Sequence, residues 1–232
     1  MNGGHNMTIG HYQEAAMGVE ERRQREKEKR RSAILKATRK LSIEKGFKSI
    51  TVANIAKKAE LSKGAVYLYF NSKEEIYVQI LLNDLDKFHS TLSDICENGG
   101  AAADMLNRFS DIYIDFFLAD RELFKIFTGI MTHTNGMDFP EPLNNQLIQA
   151  TNATMDIIAM IFKYGVDRGE FLKSVNIRLL RNAVWGLLNG ILALHLFTGK
   201  ESKREQKIRS TVRASLDVLL AGLSRAGVKN IT

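Results

Sequence analysis

Lys63, Gly64, Ala65, Tyr67 and Leu68 surround an inward-pointing pair, Val66 and Phe70, set one helical turn apart. A short helix of that pattern displays one long cationic donor, two small residues that permit close approach, and a phenol. That set suits the major groove of DNA. It is the chemistry of recognition rather than of bond breaking. The chain has no His-Glu-x-x-His, no phosphate-cradling glycine loop and no clustered Cys and His, and no nucleophile–base pair is visible. It is therefore read as a non-enzyme, with no catalytic or metal-ligating residues and no cofactor. His133 and His195 stand alone and read as a loop and a core histidine.

The elements that must position this helix are legible around it. Val52, Ile55, Ala56 and Ala59 fall at i, i+3, i+4 and i+7, the apolar face of a preceding helix capped by Thr51. Glu60-Leu61 makes the turn, and Ser62 caps the second helix. Asn71 is expected to end that helix in a left-handed conformation. Ser72-Lys73-Glu74-Glu75 then reads as the capping box of a long helix continuing through Ile76, Ile80, Leu81, Leu85 and Phe88.

The charge distribution points the same way. The chain of 232 residues is 44% hydrophobic and 25% charged, with a formal net charge of +7. Residues 20–73 hold 16 Lys and Arg against 6 Asp and Glu, whereas the rest holds 17 against 20. The basic excess is thus confined to the segment carrying the two short helices, where it supplies the phosphate component of nucleic-acid binding. Within it, Arg22–Arg31 also reads as an ordinary solvated helix, because Glu26 and Glu28 interleave. Cys96 is the only cysteine, so no intrachain disulfide forms and a reducing, cytoplasmic setting is expected. The apolar run 183–197 is interrupted by Asn189 and His195 and reads as too short to span a bilayer, so no membrane partner is expected.

Two prolines, both in one loop, and the absence of hairpin signals predict an all-α chain. Residues 1–19 read as a disordered leader. Residues 20–72 read as a three-helix helix-turn-helix DNA-binding domain, with its first helix from about Glu20 to Lys45 ended by Gly46. Residues 73–232 read as a helical effector-binding and dimerisation domain, with further helices near 102–118, 120–131, 140–167, 176–197 and 202–225. Asp120 and Asp138 are placed to cap two of them, and Pro140 or Pro142 suits a first turn.

Gly46-Phe47, Thr51-Val52, Ile55-Ala56, Ala59, Leu61-Ser62-Lys63-Gly64, Tyr67, Tyr69-Phe70 and Ser72-Lys73-Glu74 together resemble the N-terminal motif of the TetR (tetracycline-repressor-like) family of bacterial transcriptional regulators. The resemblance covers about residues 30–80 strongly. It implies that Thr51 holds a phosphate and that Ser62, Lys63, Gly64 and Ala65 lead the recognition helix. Lys63 would reach guanine, and Ala65 a thymine methyl. It further implies that Tyr67, Tyr69 and Lys73 contact the DNA backbone, with Lys48 a weaker phosphate contact. Leu68 occupies an outward position where an apolar residue is less expected.

Downstream, Ala183, Gly186, Gly190 and Ala193 make one smooth helix face, and Ile208, Val212, Leu216, Leu219 and Leu223 make a three/four seam on the last helix. The two stripes suit a four-helix homodimer interface, as family members form, or packing inside one protomer. A homodimer would read a palindromic operator. Between lie Phe109, Tyr113, Phe116, Phe117 and Phe127, then Met131, Met155, Ile158 and Phe162, with Trp185 and Asn189 beyond. The resemblance implies an effector pocket among them, suited to a hydrophobic or aromatic small molecule. The expected function is a ligand-released repressor. A DNA-binding protein of the same fold without an inducer, and a helical small-molecule-binding protein or enzyme, stand as alternatives.

Overall fold

Caps at helix starts and apolar residues at helical spacing produce nine helices among the residues described by the computed structural model, namely 7–46, 49–131, 141–197 and 203–224. They are α1 (Met7–Lys45), α2 (Val52–Lys58), α3 (Lys63–Tyr67), α4 (Lys73–Asn98), α5 (Ala102–Ala119), α6 (Arg121–Met131), α7 (Glu141–Asp167), α8 (Ile177–Phe197) and α9 (Arg204–Leu223). The only strand-like pairing among these residues is an isolated antiparallel bridge between Phe171 and Ser224. Contacts divide the chain into two compact units, residues 1–80 and 81–232, and the division falls inside α4.

In the first unit α1 begins at Met7, earlier than the start near Glu20 read from the sequence. Gln13, Glu14, Ala15, Ala16 and Met17 are strong helix formers, and a helix already nucleated extends at little cost. Gly46, with φ 72°, ends it as expected. Ile34, Ala37 and Leu41 bury against α2, which contributes Ile55 and Ala56, while Val66, Phe70 and Ile76 close the same core. Thr38 is buried too, and its hydroxyl donates back to the Ile34 carbonyl at 2.8 Å.

The second unit is built around α5, which packs on α6, α7, α8 and α9. Its buried face is Met105, Leu106, Phe109, Tyr113, Ile114 and Phe117. Asp120 caps α6 through the Leu123 N–H at 3.0 Å, and Pro142 stands in the first turn of α7, both as expected. Asp138, Pro140 and His133 lie outside the described residues. The loop after α7 turns at Gly169 (φ 73°) and brings Phe171 back onto Gly165. A Cβ at Gly165 would stand 2.4 Å from the Phe171 ring and 2.8 Å from Ala102 Cβ, so only glycine lets these segments close. Glu170 in the same loop accepts the Ala102 N–H at 2.6 Å, capping α5 where Ala101 offers no side-chain cap.

Over Ile177–His195, α8 is long and apolar enough to cross a membrane by length and composition. Ile177, Leu179 and Leu180 lengthen the apolar run 183–197 to that extent, with Arg178 and Arg181 interleaved. In the protein α8 packs against α7 and α9, burying Val184, Leu188 and Leu192.

Candidate nucleic-acid interface

The two short helices meet through a cap at each end. Thr51 accepts the Asn54 N–H at 3.2 Å, and the Asn54 side chain accepts the Thr51 N–H in return, a reciprocal capping box. At the other end of α2, Glu60 N–H reaches Lys57 O and Leu61 N–H reaches Ala56 O. This is a Schellman closure with Glu60 in the left-handed position at φ 58°. Asn71, expected to be left-handed, is not: Glu60 is the one non-glycine residue with positive φ among the described residues. The reason is local, because the Glu75 carboxylate accepts both the Asn71 backbone N–H (2.6 Å) and its side-chain amide (2.9 Å). Ser72 accepts the Glu75 N–H at 3.0 Å, so the capping box before α4 reaches back one residue further than the motif suggested.

α3 is five residues long, with Ser62 Oγ accepting the Ala65 N–H at 3.1 Å and Val66 fully buried beneath it. Lys63, Gly64, Tyr67 and Leu68 are exposed, while Ala65 and Tyr69 are half-buried. The Lys63 ammonium stands 5.8 Å from the Tyr67 ring centroid. The helix therefore offers the outward set expected of a groove-facing element. Lys73 is tied inward, its ammonium donating to the Ile50 carbonyl at 3.2 Å. Lys48 lies outside the described residues.

Arg30 and Arg31 of α1 escaped the sequence-based set. Arg31 lies 5.3 Å over the Phe70 ring, and the Arg30 guanidinium is stabilised in its charged form first by Glu26 and further by Tyr69. Their signal was helical phase: Arg31 and Arg30 precede Ile34 by three and four residues, so the stripe of α1 that buries Ile34 gives way to cations, half-buried Arg31 and exposed Arg30, next to Phe70 and Tyr69.

In the second unit the expected pocket residues separate into two groups. Phe109, Tyr113, Phe116, Phe117, Phe127 and Trp185 gather through ring contacts of 4.9–6.2 Å. Tyr113 donates to Asn189 Oδ1 at 2.9 Å. Burial pushes the Tyr113 phenol far above its ordinary range. Phe162 instead packs on Phe171, and Ile158 is fully buried while Met155 is half-buried. The Met131 side chain lies outside the described residues, as does that of Cys96. Phe88 of α4 joins the cluster at 4.8 Å from Phe116 and 5.9 Å from Tyr113, a contribution the α4 stripe in the sequence did not assign to it. Beside it, His89 Nε2 lies 2.7 Å from the buried Thr154 hydroxyl of α7, and burial holds the His89 pKa below its ordinary value.

The stripe on α9 needs correction. Ile208, Val212, Leu216 and Leu223 are buried within the protomer, and Leu219 is half-buried. α9 packs its three/four seam on α5 and α8, so that seam is its inward face. Its outward face carries Ser210, Ala214 and Val218, the last 76% exposed. On α8, Ala183, Gly186 and Gly190 are exposed as expected and Ala193 is half-buried, flanked by Leu179 and Leu194, 64% and 57% exposed.

Residues 34–80 match the family model described as bacterial regulatory proteins, tetR family. The chain is 22% identical over 156 residues to the "Fatty acid metabolism regulator protein" of Bacillus subtilis (strain 168), covering 67% of this chain and 78% of that one. It is 25% identical over 183 residues to the HTH-type transcriptional regulator SrpR of Pseudomonas putida, covering 78% and 80%. Among solved structures it superposes on the transcriptional regulator FadR from Bacillus subtilis in complex with stearoyl-CoA. That match has a TM-score of 0.64 and 19% identity, over 83% of this chain and 98% of the other. A capped helix-turn-helix with an outward Lys-Gly-Ala-Val-Tyr helix, the matching family model and an all-helical second unit agree: residues 34–80 are a DNA-binding domain of the tetR family of bacterial regulatory proteins, and the chain is a DNA-binding transcriptional regulator.

Proposed function

We propose that this regulator is a homodimeric repressor of a palindromic operator, released by a small molecule with a long apolar part. The observation that carries the effector reading is the Tyr113–Asn189 pair set among aromatic side chains. Apolar walls with one convergent polar pair suit a mostly hydrophobic ligand with a single oriented polar group. Phe88 couples those walls to α4, the helix that begins directly after the recognition element. A ligand preferring a second packing of α4 on α5 shifts the population away from the DNA-binding form, by no more than its differential affinity for the two forms. The similarity to a regulator solved with stearoyl-CoA makes a long-chain acyl thioester of coenzyme A the first effector to test.

The dimer reading is supported by the outward faces of α8 and α9. Cβ atoms built on Gly186 and Gly190 meet nothing within 4 Å in the protomer, and exposed Leu179, Leu194 and Val218 flank this smooth ground. Helices with such bare faces pack closely on a twofold-related copy.

The test is operator retention and thermal melting with stearoyl-CoA, free coenzyme A and no addition. Release and a raised melting temperature with the thioester alone are expected, because a ligand of the native state stabilises it. A saturating thioester that changes neither would refute an acyl effector. Gly186→Arg is expected to leave the protomer folded but monomeric by sedimentation. A dimer that survives this change would refute the proposed interface.

A further inference from the structure

We infer that Leu68 is a specificity-determining residue that reads the C5 methyl of a thymine in the operator. A single exposed leucine is ordinary on a protein surface, but its place here is not. Leu68 is 82% exposed and continues α3 in right-handed helical geometry (φ −71°, ψ −15°), so it stacks one turn after Gly64 on the outward face. Gly64 leaves that face bare, with only Ser62 Oγ near the site of a Cβ, at 3.9 Å. Helical side chains lean toward the N-terminus, so Leu68 covers the ground that Gly64 leaves open.

Several polar groups around it are held within the protein. Ser62 Oγ accepts from Ala65 N–H, the Lys63 ammonium lies over the Tyr67 ring, and the Asn71 amide donates to Glu75. Between the exposed Lys63 and Tyr67, the ground over Gly64 is an apolar patch, Leu68 with the half-buried methyl of Ala65 at its edge. In the major groove the apolar feature of a base edge is the thymine methyl. A leucine pressed there gains by burying that methyl and gains nothing from a purine edge.

The inference rests on the DNA-reading function and goes beyond it by assigning a base. Its test starts with the full chain and a random-sequence duplex pool, from which the bound sequences are enriched. Each thymine of the winning duplex is then replaced by deoxyuridine, which removes only the C5 methyl. At one thymine position, wild-type affinity is expected to fall about fourfold per methyl removed. Leu68→Ala is expected to be indifferent to the same replacement, and Leu68→Met to keep the sensitivity. Replacing that T·A pair by 5-methylcytosine·G should bind wild type better than plain cytosine·G. If Leu68→Ala keeps the full uracil sensitivity at every thymine, or no thymine is sensitive, the assignment is overturned. If the pool yields no enriched sequence, the DNA-reading function falls with it.

Discussion

The Lys73 ammonium donates to the carbonyl of Ile50 across 23 residues of chain, at 3.2 Å. The first residue of α4 is thereby fastened to the segment that leads into α2, bracketing both helices of the DNA-reading element. Lys73→Met is expected to cost about 1 kcal/mol of stability, from the lost hydrogen bond. Chemical denaturation measures that cost. The slope of log affinity against log salt should change little, whereas Lys63→Gln, which removes a cation from the groove, should flatten it by up to about 0.9. A slope change on Lys73→Met as large as that on Lys63→Gln would show Lys73 on the DNA instead.

Glu60 sits in the left-handed region at the close of α2, where a Cβ is disfavoured by about 1–2 kcal/mol. Glu60→Gly removes that penalty but adds backbone entropy to the unfolded chain. The net expectation is a stabilisation of up to about 1 kcal/mol, read as a higher denaturation midpoint at unchanged slope. A lower midpoint would mean that the Glu60 side chain holds something the backbone does not.

The turn after α7 predicts two losses of different kind. Gly165→Ala drives a methyl into the Phe171 ring and is expected to destabilise by about 1–3 kcal/mol through overpacking. Glu170→Ala removes the cap on Ala102 N–H and is expected to cost about 1–2 kcal/mol. Glu170→Gln, which keeps an acceptor without the charge, should recover part of that. Equal losses for Gln and Ala would show that charge alone matters at this helix start.

His89 is held below its ordinary pKa by burial, with Asp86 and the Ala150 backbone opposing the shift. The unfolded chain therefore binds the proton more readily than the folded one. Stability contributed by neutral His89 is present above the unfolded value of about 6.5 and falls as pH drops through it toward the lower folded value. Melting temperature is expected to decline from about pH 7 to pH 5, and His89→Gln should flatten that decline. An identical profile in the variant would assign the decline to other groups.

The helices and the reading element were legible because their causes are local. Thr51, Ser62 and Ser72 lie beside the N–H groups they cap, and Val66 and Phe70 sit one turn apart whatever surrounds them. The outward set at Lys63, Gly64, Tyr67 and Leu68 followed from that spacing. Gly46 and Asp120 were readable as helix punctuation for the same reason.

Where a residue had several partners within reach, sequence could not choose among them. Asn71 has the composition of a left-handed cap, yet a carboxylate four residues on holds it and Glu60 takes that conformation instead. Lys73 could meet a phosphate or a carbonyl, and its long stem reaches one 23 positions away. Both faces of α9 carry residues able to bury, and only packing on α5 and α8 decides that Ile208, Val212 and Leu216 turn inward while Val218 stays out. By itself, then, the sequence determined the helices, their caps and the side chains on the outward face of α3, since these depend on neighbours a turn or less away. The tertiary structure decided which seam is core, which aromatic rings meet Tyr113 and what Lys73 holds, because those depend on distances between residues far apart in the chain.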